Sequence, residues 1–250
     1  MKLFASAFVI LSFVVCLAFD TPVFGQSVVP NALQNMAGNF NGDAFDCTRA
    51  NGLRSQTVFL GSEVGKGTIV SLAARGLPNS GPLAPTTFPD VTIIMSTTPV
   101  SIPGLSTTFA SNYGGDTKTV FQGPFIQSAP DCTGLNPCPF ASPIHFQKPF
   151  HFDPADGNLL VEFIIPACNV IDALPNTDAT FNDAALISVI QTVSEDDSSG
   201  PMGTLFQFAV VTQFNFAGPI PTLSEWGLIA MASILGIVGF MVIRRRKVSA

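Results

Sequence analysis

Charge is what this sequence has least of. Asp, Glu, Lys and Arg make up 11% of the 250 residues, under half of the ~25% usual in soluble globular domains. Such a chain is poorly suited to the cytosol and reads as exported or membrane-attached. It holds only 11 Lys and Arg against 17 Asp and Glu, a formal net charge of −6. That acidic balance argues against nucleic acid, whose phosphates need clustered cations. One Trp, one Tyr and two His leave little for an aromatic sugar platform or a His-built metal site. A Gly-x-Ser-x-Gly nucleophile elbow is also missing. What the chain does have is 23 Phe, 20 Pro, 21 Gly and 47% hydrophobic residues. Its Val/Ile/Thr-rich runs can bury a core, so wholesale disorder is excluded.

The N-terminus has the order of a secretory signal. Lys2 is followed by an almost unbroken apolar run over residues 3–19 and then by small residues, the succession of n-region, h-region and cleavage site. Cleavage is expected after Gly25, with Ala18 the alternative, so that residues 1–25 form a signal peptide. The run is short for a membrane span, which needs about 20 residues. Cys16 lies inside it behind Val15, where a lipidated cysteine would need a small residue.

The C-terminus carries a second address. Ile220-Pro221-Thr222-Leu223-Ser224-Glu225-Trp226-Gly227 precedes an uncharged stretch to Ile243, and Arg244, Arg245, Arg246 and Lys247 follow. As a helix, residues 226–243 would reach about 27 Å, enough for a bilayer core. Trp226 would then sit at the outer interface and the basic cluster would anchor the cytoplasmic side. Motif, span and basic end together resemble the IPTL-CTERM sorting signal, a relative of the PEP-CTERM signals handled by exosortases in Gram-negative bacteria. The resemblance implies that Ile220, Pro221, Thr222, Leu223, Trp226 and Gly227 are read by a membrane transpeptidase, which removes the helix and passes the ectodomain to a surface acceptor. A plain single-pass membrane anchor is the alternative.

Between the two signals, residues 26–218 are expected to form one ectodomain, all-β, a single antiparallel β-sandwich of jelly-roll-like type. Residues 204–216 alternate, with Phe206, Phe208, Val210, Phe214 and Phe216 on one face and Gln207, Gln213 and Asn215 on the other, which predicts one half-buried strand. Residues 158–165 put Leu159, Val161, Phe163 and Ile165 on one face and Glu162 on the other. Val91, Ile93 and Met95 alternate with Thr92 and Ser96. Residues 56–60, 68–74 and 118–122 read as further strands, and 182–193, ambiguous with a helix, as a strand because of its β-branched residues. Pro and Gly punctuate the runs, as in sandwiches and barrels. Residues 58–216 also resemble the β-sandwich ectodomains of other proteins with such sorting signals, in DVTIIMSTT, GLSTTFASN, TVFQGP, FHFDPADGNLLVEF and VTQFNF. That resemblance implies a fold and no activity.

Four cysteines remain after the signal, an even number in a chain bound for an oxidising compartment. Of the three possible pairings, Cys132 with Cys138 and Cys47 with Cys168 are expected. A five-residue gap and export both argue against zinc.

Candidate chemistry is sparse. Residues 61–68 faintly resemble a phosphate loop but lack its leading Gly and its hydroxyl residue, and a hairpin turn is expected. His145 and His151 share strand parity near Asp153, yet Pro149 falls between them and no third His exists. Asp153-Pro154-Ala155-Asp156-Gly157-Asn158, Asn39 to Asp43, and Glu195-Asp196-Asp197 hold oxygen donors without EF-hand spacing, and ordinary turn chemistry accounts for them. The expectation is a non-catalytic surface or matrix protein of structural or adhesive role, without metal or cofactor. A carbohydrate-binding module, calcium-assisted and directed at extracellular polysaccharide, is the alternative.

Overall fold

On an extended backbone successive side chains point to opposite faces, so a run that alternates apolar with polar residues buries one face against a partner layer. That rule organises the sheets formed by the described residues. The structure is a computed structural model, and it describes residues 25–42, 46–168, 176–183, 186, 189–218 and 233. The expected signal peptide and C-terminal span lie outside them, apart from Gly25 and Ser233. Among the described residues no helix is long and apolar enough to cross a membrane.

Among the described residues thirteen strands, numbered in chain order, form three sheets in which every ladder is antiparallel. The first has the order β1 (Gln26–Val29), β13 (Thr212–Phe216), β4 (Gly67–Arg75), β7 (Phe140–Phe152). The second has β11 (Thr204–Phe206), β10 (Ile190–Glu195), β3 (Leu53–Phe59), β8 (Asn158–Ile165), β5 (Leu83–Thr98), β6 (Lys118–Ala129). The third, which the sequence did not announce, has β12 (Phe208–Val210), β9 (Thr177–Phe181), β2 (Phe40–Gly42). The two larger sheets share one apolar core. Ile69, Leu72, Phe150, Phe152 and Phe214 of the first pack in the same cluster as Phe59, Ile93, Met95, Leu159 and Val161 of the second. Phe59 and Phe214 meet edge to face across it, with ring centroids 5.2 Å apart.

The β5 strand shows how proline is accommodated. Its pairing with β6 shifts register between Leu83 and Thr86 and again between Phe88 and Val91. Pro85 and Pro89, which have no N–H to give a ladder, fall inside those shifts. Only Thr92–Thr98 also pairs with β8.

The edges β6 and β7 are joined by side chains instead of a ladder. Gln147 donates from Nε2 to the Gln122 carbonyl at 2.8 Å and accepts from the Gln122 N–H at 3.2 Å. The amide thus substitutes for one residue of a partner strand. Lys118 Nζ donates to the Pro149 carbonyl at 2.8 Å. Covering an edge in this way removes a template for unwanted strand pairing.

Several local expectations are corrected. Residues 61–68 are not a hairpin. A single helical turn, α1 (Gly61–Val64), carries the chain from β3 in the second sheet to β4 in the first. Gly61 is required there because a Cβ would lie 2.4 Å from the Gly157 carbonyl. Pro149 does not interrupt its strand, since β7 is an edge and has no need of an N–H at that point. Among the described residues of 182–193, strand begins at Ile190. Before it Leu186 N–H bonds to the Asp183 carbonyl and Val189 N–H to the Leu186 carbonyl, the i→i+3 pattern of turns.

The greatest departure concerns residues 204–216. They are three strands, β11, β12 and β13, each in a different sheet. Backbone partners change at the junctions: the Gln207 carbonyl accepts from Asn182 N–H at 2.9 Å, and the Val211 N–H donates to the Asp178 carbonyl at 2.9 Å. Alternation reports which way a side chain faces and carries no information about which strand lies alongside.

Candidate functional site

The residues that alternate along 204–212 stay on one side even though their sheets differ. Thr204, Phe206, Phe208, Val210 and Thr212 all line one groove, with a volume of about 620 Å³, inside the ~300–1,000 Å³ range of small-molecule sites. Alternate residues of β3 line it too: Leu53, Ser55, Thr57 and Phe59. Leu53, Phe59 and Leu72 are buried members of the core and form the floor.

Two chemically different surfaces meet over that floor. The second sheet supplies hydroxyls, Ser55 and Thr57 from β3, Thr192 and Ser194 from β10, and Thr204 from β11. Strand register places them side by side, with Ser55 opposite Ser194, Thr57 opposite Thr192, and Ser194 opposite Thr204. Thr57 and Thr192 share a hydrogen bond of 2.9 Å between their hydroxyls. The third sheet supplies rings. Phe40 lies 5.1 Å from Phe181 and 6.0 Å from Phe208, centroid to centroid, the latter edge to face. Gly42 allows this, because a Cβ there would sit 2.4 Å from the Phe208 ring.

The rim is charged and net acidic, with Arg49 set among Asp46, Glu195 and Asp196. Asp46 accepts from Thr48 N–H at 2.9 Å, from the Thr48 hydroxyl at 2.7 Å and from Arg49 Nε at 2.9 Å. Burial works against its charged form, yet these donors hold the carboxyl below its ordinary range. Arg49 also pairs with Asp196, and Arg49, Glu195 and Asp196 all border the groove. The neighbouring disulfide Cys47–Cys168 fastens this rim segment to the end of β8, and Cys168 N–H donates to the Cys47 carbonyl at 2.7 Å.

Both expected cysteine pairs are present, with Cα separations of 5.1 Å for Cys47–Cys168 and 5.4 Å for Cys132–Cys138. The sorting residues Ile220, Pro221, Thr222, Leu223, Trp226 and Gly227 and the basic cluster Arg244 to Lys247 lie outside the described residues. So does Asp43, leaving the Asn39 to Asp43 segment incomplete. Among the described residues no three His, Cys, Asp or Glu side chains converge as metal ligands. His145 and His151 stand exposed on β7, opposite Ser71 and Thr68. Asp153 pairs with Lys66 at 2.5 Å and caps Ala155 N–H at 3.0 Å. Asp197 accepts from the N–H and hydroxyl of Ser199. These are turn contacts.

Glu162 is not the exposed polar partner of its strand. It is fully buried on the outer face of the second sheet, where the connection between β5 and β6 folds over it. Leu105 and Phe109 of that connection pack on Val58, Leu160 and Val193. Arg54 Nε donates to Glu162 at 2.7 Å, and the Arg54 guanidinium stacks 4.4 Å from the Phe109 ring centre. Gln56 and Asn112, both fully buried, bond each other at 2.9 Å beneath the same connection. Both faces of β8 are therefore buried.

The groove was missed in the sequence. The signal available was Leu53-x-Ser55-x-Thr57-x-Phe59, where hydroxyls interrupt an inward apolar face, but only register reveals that β10 and β11 continue the patch.

No curated protein and no solved structure matches the chain. Over residues 219–247 the sequence matches the family model of the IPTL-CTERM motif, which points to a C-terminal sorting signal on an exported protein.

Proposed function

We propose that the chain is exported through an N-terminal signal peptide, held in the inner membrane of a Gram-negative cell by the apolar segment after Gly227, and processed there by an exosortase-type transpeptidase. The product is a cell-surface or extracellular-matrix protein with a non-catalytic, structural or adhesive role. The IPTL-CTERM motif at residues 219–247 carries this reading, together with the Arg244 to Lys247 cluster behind the apolar stretch. The body suits an oxidising exterior. Two disulfides close it, and two antiparallel sheets on one apolar core support the reading of a single β-sandwich.

The test is intact mass with N- and C-terminal peptide mapping of protein recovered from its native envelope. A mature chain beginning near Gln26 and ending between Ile220 and Trp226 is expected. A chain still ending at Ala250 would remove the processing step and leave a single-pass membrane protein.

A further inference from the structure

Hydroxyls normally sit on the solvent side of a sandwich strand and apolar side chains on the inner side. At the end of the second sheet formed by β3, β10 and β11 this order is reversed. Ser55, Thr57, Thr192, Ser194 and Thr204 occupy the positions that, further along the same face, are held by core residues such as Leu53 and Phe59. Thr57 and Thr192 satisfy each other. Among the described residues the hydroxyls of Ser55, Ser194 and Thr204 have no hydrogen-bond partner in the protein. They border a groove whose third-sheet side is the ring cluster of Phe40, Phe181 and Phe208. Phe40 and Phe181 keep 44% and 37% of their surface exposed.

We infer that this groove binds a segment of neutral polysaccharide. A sugar ring has an apolar C–H face and an equatorial belt of hydroxyls. The first packs on aromatic rings, and the second exchanges hydrogen bonds with donors that are also acceptors, as Ser and Thr hydroxyls are. A purely apolar ligand would leave Ser55, Ser194 and Thr204 desolvated and unpaired. An anionic ligand finds no free cation, because Arg49 is the one positive side chain among the lining residues, is already paired with Asp46 and Asp196, and has the carboxylate of Glu195 beside it on the rim. The groove is open to solvent at Thr204 and Phe206, both exposed, so a chain can lie through it without having to be threaded. This site is independent of what happens at residues 219–247. Loss of one reading leaves the other standing.

The test presents the full-length chain in detergent micelles to a panel of immobilised neutral polysaccharides, including β-glucan, xylan and dextran, with alginate as a charged comparison. Retention on at least one neutral member is expected, weakened about tenfold or more by Phe40→Ala, which removes a stacking surface. Because Phe40→Ala could disturb the small sheet, the double variant Ser194→Ala/Thr204→Val is measured beside it. It keeps the packing, removes two unpartnered hydroxyls, and is expected to weaken retention by a similar factor with an unchanged thermal midpoint. Ile126→Ala, on an exposed position of β6 away from the groove lining, is expected to leave retention unaltered. Failure to retain any neutral polysaccharide, preference for alginate, or equal retention by wild type and double variant would each overturn the assignment.

Discussion

The Tyr113 hydroxyl donates to Glu162 Oε2 while Arg54 Nε takes the other carboxylate oxygen at 2.7 Å. One buried carboxylate is thereby shared between a strand neighbour and a distant connection. Arg54 and Glu162 come from adjacent strands β3 and β8, whereas Tyr113 belongs to the stretch between β5 and β6. Arg54 also reaches the Gly200 carbonyl at 2.9 Å, so the same guanidinium orders the loop before β11.

Tyr113 is the single tyrosine of the chain, and its titration can be read without assignment. Burial first, and then the hydrogen bond and charge of Glu162, push its phenol up to about 12 from an ordinary 10.0. A raised acid stabilises the fold below pH 10.0, and that contribution fades as pH rises toward about 12. Ultraviolet phenolate absorbance should therefore lag that of the unfolded chain. Glu162→Gln should bring the midpoint down, and an unshifted midpoint in the wild type would contradict the contact. Glu162→Ala leaves the half-buried Arg54 without its carboxylate and opens a cavity under Tyr113, and should cost about 2–4 kcal/mol in denaturant unfolding.

A second buried pair holds the third sheet. Arg75 on β4 and Asp178 on β9 meet at 2.7–2.8 Å with side chains 1% exposed. Arg75 also donates to the Leu33 carbonyl at 2.9 Å and to that of Met36, and Asp178 accepts Gly38 N–H at 2.8 Å. Removing either partner leaves the other charged and buried. Asp178→Ala is expected to destabilise by about 3–5 kcal/mol and to open residues 31–38 to limited proteolysis before global unfolding. Asp178→Asn, which retains the shape and one acceptor, should lose less.

The two disulfides should differ in worth. Cys47–Cys168 spans 121 residues and Cys132–Cys138 spans 6. Loop-closure entropy gives about 4–5 kcal/mol for the first and about 2–3 for the second. Paired Cys→Ser variants should keep that order in thermal midpoint. The Cys47→Ser/Cys168→Ser chain should also expose the Asp46 to Arg49 rim to hydrogen exchange, while the Cys132→Ser/Cys138→Ser chain should not.

By itself the sequence determined that the ectodomain is all-β, that Asn158–Ile165 and the runs around Ile69 and Ile93 are strands, that Cys132 lies one short loop from Cys138, and that residues 219–247 carry an IPTL-CTERM motif. Each of these is written in local order: period-two alternation, a short loop between cysteines, or a contiguous motif. The tertiary structure alone decided that residues 204–216 serve three sheets, that Glu162 is buried beside Arg54 and Tyr113, and that hydroxyls from β3, β10 and β11 adjoin rings from β2, β9 and β12. Strand partners are chosen by packing between residues far apart in sequence. Alternation fixes the facing of a side chain within its strand and leaves its neighbours to the fold.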